Sequence, residues 1–151
     1  MMRVYVAAPY NDAARVRYVH ACLRARGAVP TSLWADRAHS PEDLGAMDPR
    51  DRAGAIAAND TGVATADVLI ALPRIGAGGE MFAEVRLATL LSIPVLWVGE
   101  RLTLSAFRDG VSRFDGLRDA LDEIEQMIAG RSRPTTTGAG HDARELAFDA
   151  E

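Results

Sequence analysis

The 151 residues carry 48% hydrophobic and 25% charged side chains, the composition of one ordinary globular domain. The 17 basic and 21 acidic residues leave a formal charge of −4, which argues against a nucleic-acid polymer as partner, because that needs a basic face. No apolar run approaches the ~20 residues of a membrane span and no charged-then-apolar segment opens the chain, so a cytoplasmic location with no membrane partner is expected.

Arg3-Val4-Tyr5-Val6-Ala7-Ala8 is a short β-branched apolar run ending at Pro9, the pattern of a buried strand. Asn11 and Asp12 then offer N-caps to a helix with apolar positions Val16, Val19 and Leu23 and a stop at Gly27. Val29 to Leu33 reads as a second strand. From Trp34 to Pro49 the chain is polar and turn-rich, with Ser40-Pro41-Glu42-Asp43 resembling a helix start, and most of it reads as a loop or lid. Arg50 to Thr65 is Ala-rich and helical, although Gly54 and Gly62 each weaken it by ~1 kcal/mol relative to Ala.

Val68 to Leu72 is the clearest strand; a glycine-rich loop and a helix from about Glu80 to Leu91 follow it. Pro94 to Val98 is another apolar strand, and Val111 to Phe114 a short final one. Leu117, Leu121, Ile124 and Ile128 mark an amphipathic helix that stops at Gly130. Residues 131–151, with Pro, three consecutive Thr and scattered charge, read as a flexible tail behind a single domain, 1–130. Apolar strands separated by helices indicate a parallel α/β sheet of about five strands, Rossmann-like, with helices on both faces. Ligands of such sheets bind outside the carboxyl ends of the strands.

The residue inventory excludes several chemistries. All 17 basic residues are arginines, so Schiff bases, pyridoxal attachment and the phosphate-loop lysine are ruled out. Cys22 is the single cysteine, and His20, His39 and His141 are too scattered for a metal motif. None of the six serines sits in a Gly-x-Ser-x-Gly elbow. No cofactor and no metal are expected. An enzyme built from this set works with carboxylates, amides, arginines, tyrosines and backbone dipoles. Trp97, in an apolar strand, reads as core. His20 reads as an exposed or partly packed helix residue, and Cys22 as a small core filler.

The strongest candidate region is Gly76 to Ala88, GAGGEMFAEVRLA, where glycines between a buried strand and a helix let backbone approach a ligand. The glycines fall at 76, 78 and 79, which is no dinucleotide fingerprint. Glu80 and Glu84 share one helix face. They form either a solvated acidic stripe or a carboxylate held over a sugar or phosphate pocket, and spacing alone does not choose.

Taken in order, VYVAAPY, NDTGVATADVLIAL, the Gly-rich loop and EVRLATLLSIPVLWV resemble the nucleoside 2-deoxyribosyltransferase family and the related nucleotide N-glycosidases over roughly residues 3–99. The resemblance implies a small flavodoxin-like fold. The family motif Glu-Leu-Gly-x-Ala fits Glu84, with Ala88 four residues on and Pro94 ten on; Glu80 does not fit that spacing. By resemblance, Glu84 is the nucleophile that attacks the anomeric carbon. The family aspartate that handles the departing base falls at Asn59, beside Asp60. An amide cannot transfer a proton, so either Asp60 takes over or Asn59 only orients the base. The family glycine two after the nucleophile is Arg86 here.

From their place in the loops after the strands, Pro9, Tyr10, Gly78 and Gly79 are the candidate substrate contacts, with Tyr10 stacking on the base or bonding the sugar. Arg15 and Arg17 stand beside the expected site, where a guanidinium would pair with a monophosphate. The expected activity is cleavage or transfer of the N-glycosidic bond of a (deoxy)nucleoside through a covalent glycosyl-glutamate intermediate. A nucleoside 5′-monophosphate N-glycosidase and a non-catalytic nucleotide-binding module are the other two readings. A homodimer or higher homo-oligomer is expected by the same resemblance.

Overall fold

The computed structural model describes residues 1–37, 41–76, 79–101 and 103–132. Five strands, β1 (Arg3–Ala7), β2 (Val29–Pro30), β3 (Val68–Ala71), β4 (Val95–Val98) and β5 (Val111–Phe114), form one sheet in the order β2-β1-β3-β4-β5. Every pairing is parallel. Around it lie α1 (Ala13–Ala25), α2 (Pro41–Ala46), α3 (Pro49–Ala64), α4 (Gly79–Leu90) and α5 (Leu117–Ser132). This is the expected flavodoxin-like arrangement, and its strand order reverses between β1 and β3. A crevice at that switch point is where such sheets bind ligands.

The sequence explains the sheet. Residues Val4–Ala7 and all of β3 and β4 are apolar and buried, as strands covered on both faces must be. Tyr5 pairs in register with Leu69, and Ala7 with Ala71, which in turn pairs with Trp97. Trp97 is core, as expected, and stacks on Phe82 of α4 with ring centroids 6.4 Å apart. On the opposite face, Arg26 at the end of α1 pairs with Glu125 of α5 at 3.6 Å. Asp67 ties down the sheet's lower end, accepting from the Arg3 amide at 2.7 Å and from Arg131 at 3.2 Å.

Several expectations need correction. The second strand ends at Pro30 rather than Leu33, because side chains take over its hydrogen bonds. The Val6 amide donates to Ser32 Oγ at 3.0 Å, and Trp34 Nε1 donates to the Val6 carbonyl at 3.2 Å. The segment 34–49 is not mainly loop: Leu33–Arg37 is a 3-10 turn, α2 follows, and buried Trp34 is pinned rather than poised to swing. Residues 38–40 of that segment, with His39 and Ser40, lie outside the described residues. His20 is fully buried rather than exposed, its Nε2 lying 2.8 Å from Ser32 Oγ. Burial lowers the His20 imidazole below its ordinary range and favours its neutral form. Cys22 is half-buried against the core. The last helix runs through Ser132, and residues 133–151, with His141, are outside the described ones.

Asp12 flanks α1, but its side chain makes no capping bond, and Asn11 sits exposed inside a 3-10 turn (Tyr10–Asp12). The real cap is at α3, where Asp48 accepts from the Arg50 amide at 2.8 Å and Pro49 opens the helix. Gly62, expected only to weaken α3, is required there. A Cβ at this position would sit 2.6 Å from the Thr31 carbonyl oxygen and 3.0 Å from the Tyr5 ring. Its absence lets α3 lie directly over Tyr5.

Candidate active site

The site is built where β1, α3 and α4 meet. Tyr5 points from the sheet beneath Gly62 of α3, and its hydroxyl donates to Glu84 Oε1 at 2.7 Å. Glu84, on the second turn of α4, is 8% exposed. Its Oε2 is buried without a hydrogen-bond partner among the described residues. A buried carboxyl oxygen left unpaired is uncommon, and in folded proteins such atoms concentrate where a ligand or a reaction uses them.

Electrostatics follow from that placement. Burial pushes the Glu84 carboxyl up to about 8. The Tyr5 hydroxyl pulls the other way, and the nearby negative charges of Glu80 and Asp60 add to the upward push. Burial likewise drives the Tyr5 hydroxyl far above its ordinary range, so Tyr5 remains a donor. Tyr10 is also raised, chiefly by burial; the Asn59 side chain opposes this, and Glu80 and Glu84 add to it.

These groups surround one cavity of about 410 Å³, within the size range of small-molecule sites. Tyr10, Asn59, Asp60, Glu80 and Glu84 all line it, so the structure brings together all three residues expected to be catalytic and the tyrosine expected to bind substrate. Its walls are apolar, with Leu44 of α2, Ala55 and Ile56 of α3, and Ala83 and Leu87 of α4. Tyr10 is braced edge-on by Trp34, ring centroids 5.3 Å apart. Glu84 is therefore no member of a solvated stripe, whereas Glu80, one turn earlier, is exposed at the cavity's edge.

The other expected contacts sit elsewhere. Pro9 is buried, and its carbonyl accepts from the Asp12 amide at 2.9 Å; it does not line the cavity. Arg15 is half-buried on α1 and also stands outside the lining. Arg17 donates to the Ala35 carbonyl at 2.8 Å, which makes it an anchor for the turn carrying Trp34. Gly79 opens α4 and is exposed, and Gly78 lies outside the described residues. Asp12, 7% exposed, instead pairs with Arg74, tying the loop after β1 to the loop after β3. The sequence reading missed Tyr5 and Arg52, an exposed arginine of α3 that lines the cavity. A hydroxyl-bearing residue in an otherwise apolar strand was the signal for Tyr5, since a buried tyrosine hydroxyl needs a partner.

Solved structures share this architecture. A 2-deoxyribosyltransferase of Bacillus psychrosaccharolyticus superposes with a TM-score of 0.63 at 17% identity, covering 82% of this chain and 90% of its own. The fold is that of these enzymes. A CMP N-glycosidase of Clostridium botulinum gives 0.56 at 13% identity, covering 82% of this chain and 98% of the other. A conserved protein of Enterococcus faecalis gives 0.58 at 17%, over 84% and 99%. Two of the three are named for the chemistry of the family that the sequence resembles, so that resemblance holds at the level of the fold. No protein-family model and no curated protein matches the sequence.

Proposed function

We propose that this protein cleaves or transfers the N-glycosidic bond of a nucleoside or nucleotide, with Glu84 as the nucleophile. The observation that carries this reading is the Glu84 carboxyl itself. It is buried at a nucleoside-sized cavity, held through one oxygen by Tyr5 and unpartnered at the other. Two fold relatives described as a CMP N-glycosidase and a 2-deoxyribosyltransferase support chemistry at that bond.

The reaction follows from the groups present. Breaking the bond builds positive charge on the sugar ring, which an adjacent carboxylate stabilises and then traps as a glycosyl ester. Glu84 must ionise first. With its carboxyl near 8, about one molecule in ten carries the anion at pH 7 in the empty cavity. Asn59 orients the departing base beside Tyr10, and exposed Asp60, in the same lining, can return a proton to the base once it is released. The ester then passes its sugar to a second base or to water. Arg15 and Gly79, outside the lining, are left with no role in this scheme.

The test incubates the protein with a panel of nucleosides and 5′-monophosphates, with and without a free acceptor base. Base release and new nucleoside are followed by chromatography, and the glycosyl ester by intact mass. Glu84→Ala abolishes both products. Ligand-induced stabilisation without turnover across the panel would replace this reading with the binding module.

A further inference from the structure

The cavity is electrically lopsided, and the imbalance lies along α3. At one end Asp60 of α3 meets Glu80 and Glu84 of α4. At the other stands Arg52, the one cation in the lining among the described residues, with no ion-pair partner among them. Arg52 and Asp60 are eight residues apart on one helix, about 12 Å along its axis at ~1.5 Å per residue. Between them the lining is apolar at Ala55 and Ile56, with the Asn59 amide next to Asp60. A ligand whose anomeric carbon meets Glu84 therefore places its far, electron-rich edge toward a free guanidinium.

We propose that Arg52 is a specificity-determining residue that stabilises the departing base as an anion, selecting bases that carry ring carbonyl oxygens. The inference rests on the glycosyl-transfer reading above and deepens it. The Asn59 amide beside Tyr10 cannot protonate a leaving base, and Asp60 is exposed. When the bond between the anomeric carbon and the base nitrogen breaks, both electrons stay on the base. A Glu84 carboxylate oxygen forms the new bond to carbon. The base anion spreads its charge onto its carbonyl oxygens, which the planar guanidinium fork matches, and after release takes its proton from water or exposed Asp60. An amino-substituted base without such oxygens gives Arg52 no acceptor of that kind.

The experiment measures kcat/KM for the full chain and for Arg52→Ala and Arg52→Lys, on nucleosides that share one sugar and differ in base. Uracil and hypoxanthine are compared with adenine, each with and without a 5′-phosphate. Expected is a loss of about 10–100-fold in Arg52→Ala on the carbonyl-bearing bases and less than about threefold on adenine, with the lysine variant between. The dependence of rate on base acidity steepens in Arg52→Ala. Equal losses on all bases, no loss, or a loss confined to 5′-monophosphates whatever the base each overturn the inference while leaving the glycosyl-transfer reading intact. A wild-type protein that turns over none of the panel overturns both. Arg52 is exposed, so unchanged melting temperatures for the variants are expected and separate these outcomes from misfolding.

Discussion

The Tyr5 hydroxyl holds Glu84 Oε1 at 2.7 Å, so a residue of β1 sets the position of a carboxyl on α4, the helix that follows the neighbouring strand β3. Because Tyr5 favours the carboxylate over the acid, it also tunes when Glu84 ionises.

The pH dependence follows. With Glu84 near 8, kcat/KM rises with pH up to about 8 and then levels. Tyr5→Phe removes the donor that lowers the carboxyl, so the limb moves to higher pH. An upward move of one unit costs about tenfold at neutral pH. Initial rates from pH 5.5 to 9.5 on both proteins check this, and an unmoved limb in the variant would refute it.

Stability carries the opposite sign. Unfolded, Glu84 loses its proton near the ordinary 4.5; folded, it keeps it to about 8. Between those values the folded state binds the extra proton, so its stabilising effect is full below about 4.5 and is lost as pH rises through about 8. Glu84→Gln cannot ionise. Relative to wild type it gains roughly 3–5 kcal/mol across that window, at ~1.4 kcal/mol per unit. Urea unfolding at pH 5 and pH 8.5 measures the difference, and a gap that fails to widen contradicts the burial of Glu84.

Gly62→Ala is destabilising despite alanine's better helix propensity. The added methyl meets a backbone oxygen at 2.6 Å that cannot turn aside. The expected cost is about 1–3 kcal/mol. Glycosyl transfer falls as well, since α3 and the Tyr5 ring must separate. Gly54→Ala on the same helix meets nothing within 4 Å and raises stability instead. Thermal melts of the pair distinguish packing from propensity.

The pair between Asp12 and Arg74 is lopsided. Asp12 is 7% exposed, whereas the Arg74 side chain is 55% exposed. Arg74→Ala strands a buried carboxylate and is the more destabilising of the two, while Asp12→Asn releases an arginine to water and costs less. Both variants loosen Tyr10's loop and raise KM more than they lower kcat. Denaturant titrations and steady-state kinetics on the two single variants decide it.

How much was legible in the sequence depended on what each residue needed from its neighbours. Unbroken apolar runs such as Val68 to Ala71 state their own burial, and Glu84 was singled out by its distance to Ala88 and Pro94. Tyr5 hid among core residues, because nothing local shows that a hydroxyl buried in a strand will find a carboxyl 79 residues away. Arg52 looked like any solvated helix arginine until the cavity was in view. His20 was readable in principle: with Val16, Val19 and Leu23 it completes a buried helical stripe. The short second strand was not, since side chains of Ser32 and Trp34, rather than backbone, satisfy Val6.

That substitution has a consequence for self-association. An intruding chain seeking to extend the sheet past β2 finds only two residues of strand, one of them a proline with no amide to offer. Higher up, both polar groups of Val6 are already taken, so the newcomer would have to evict a serine and a buried tryptophan. This margin of the sheet is thus guarded against amyloid-like zippering, in part by the same tryptophan that braces Tyr10 edge-on.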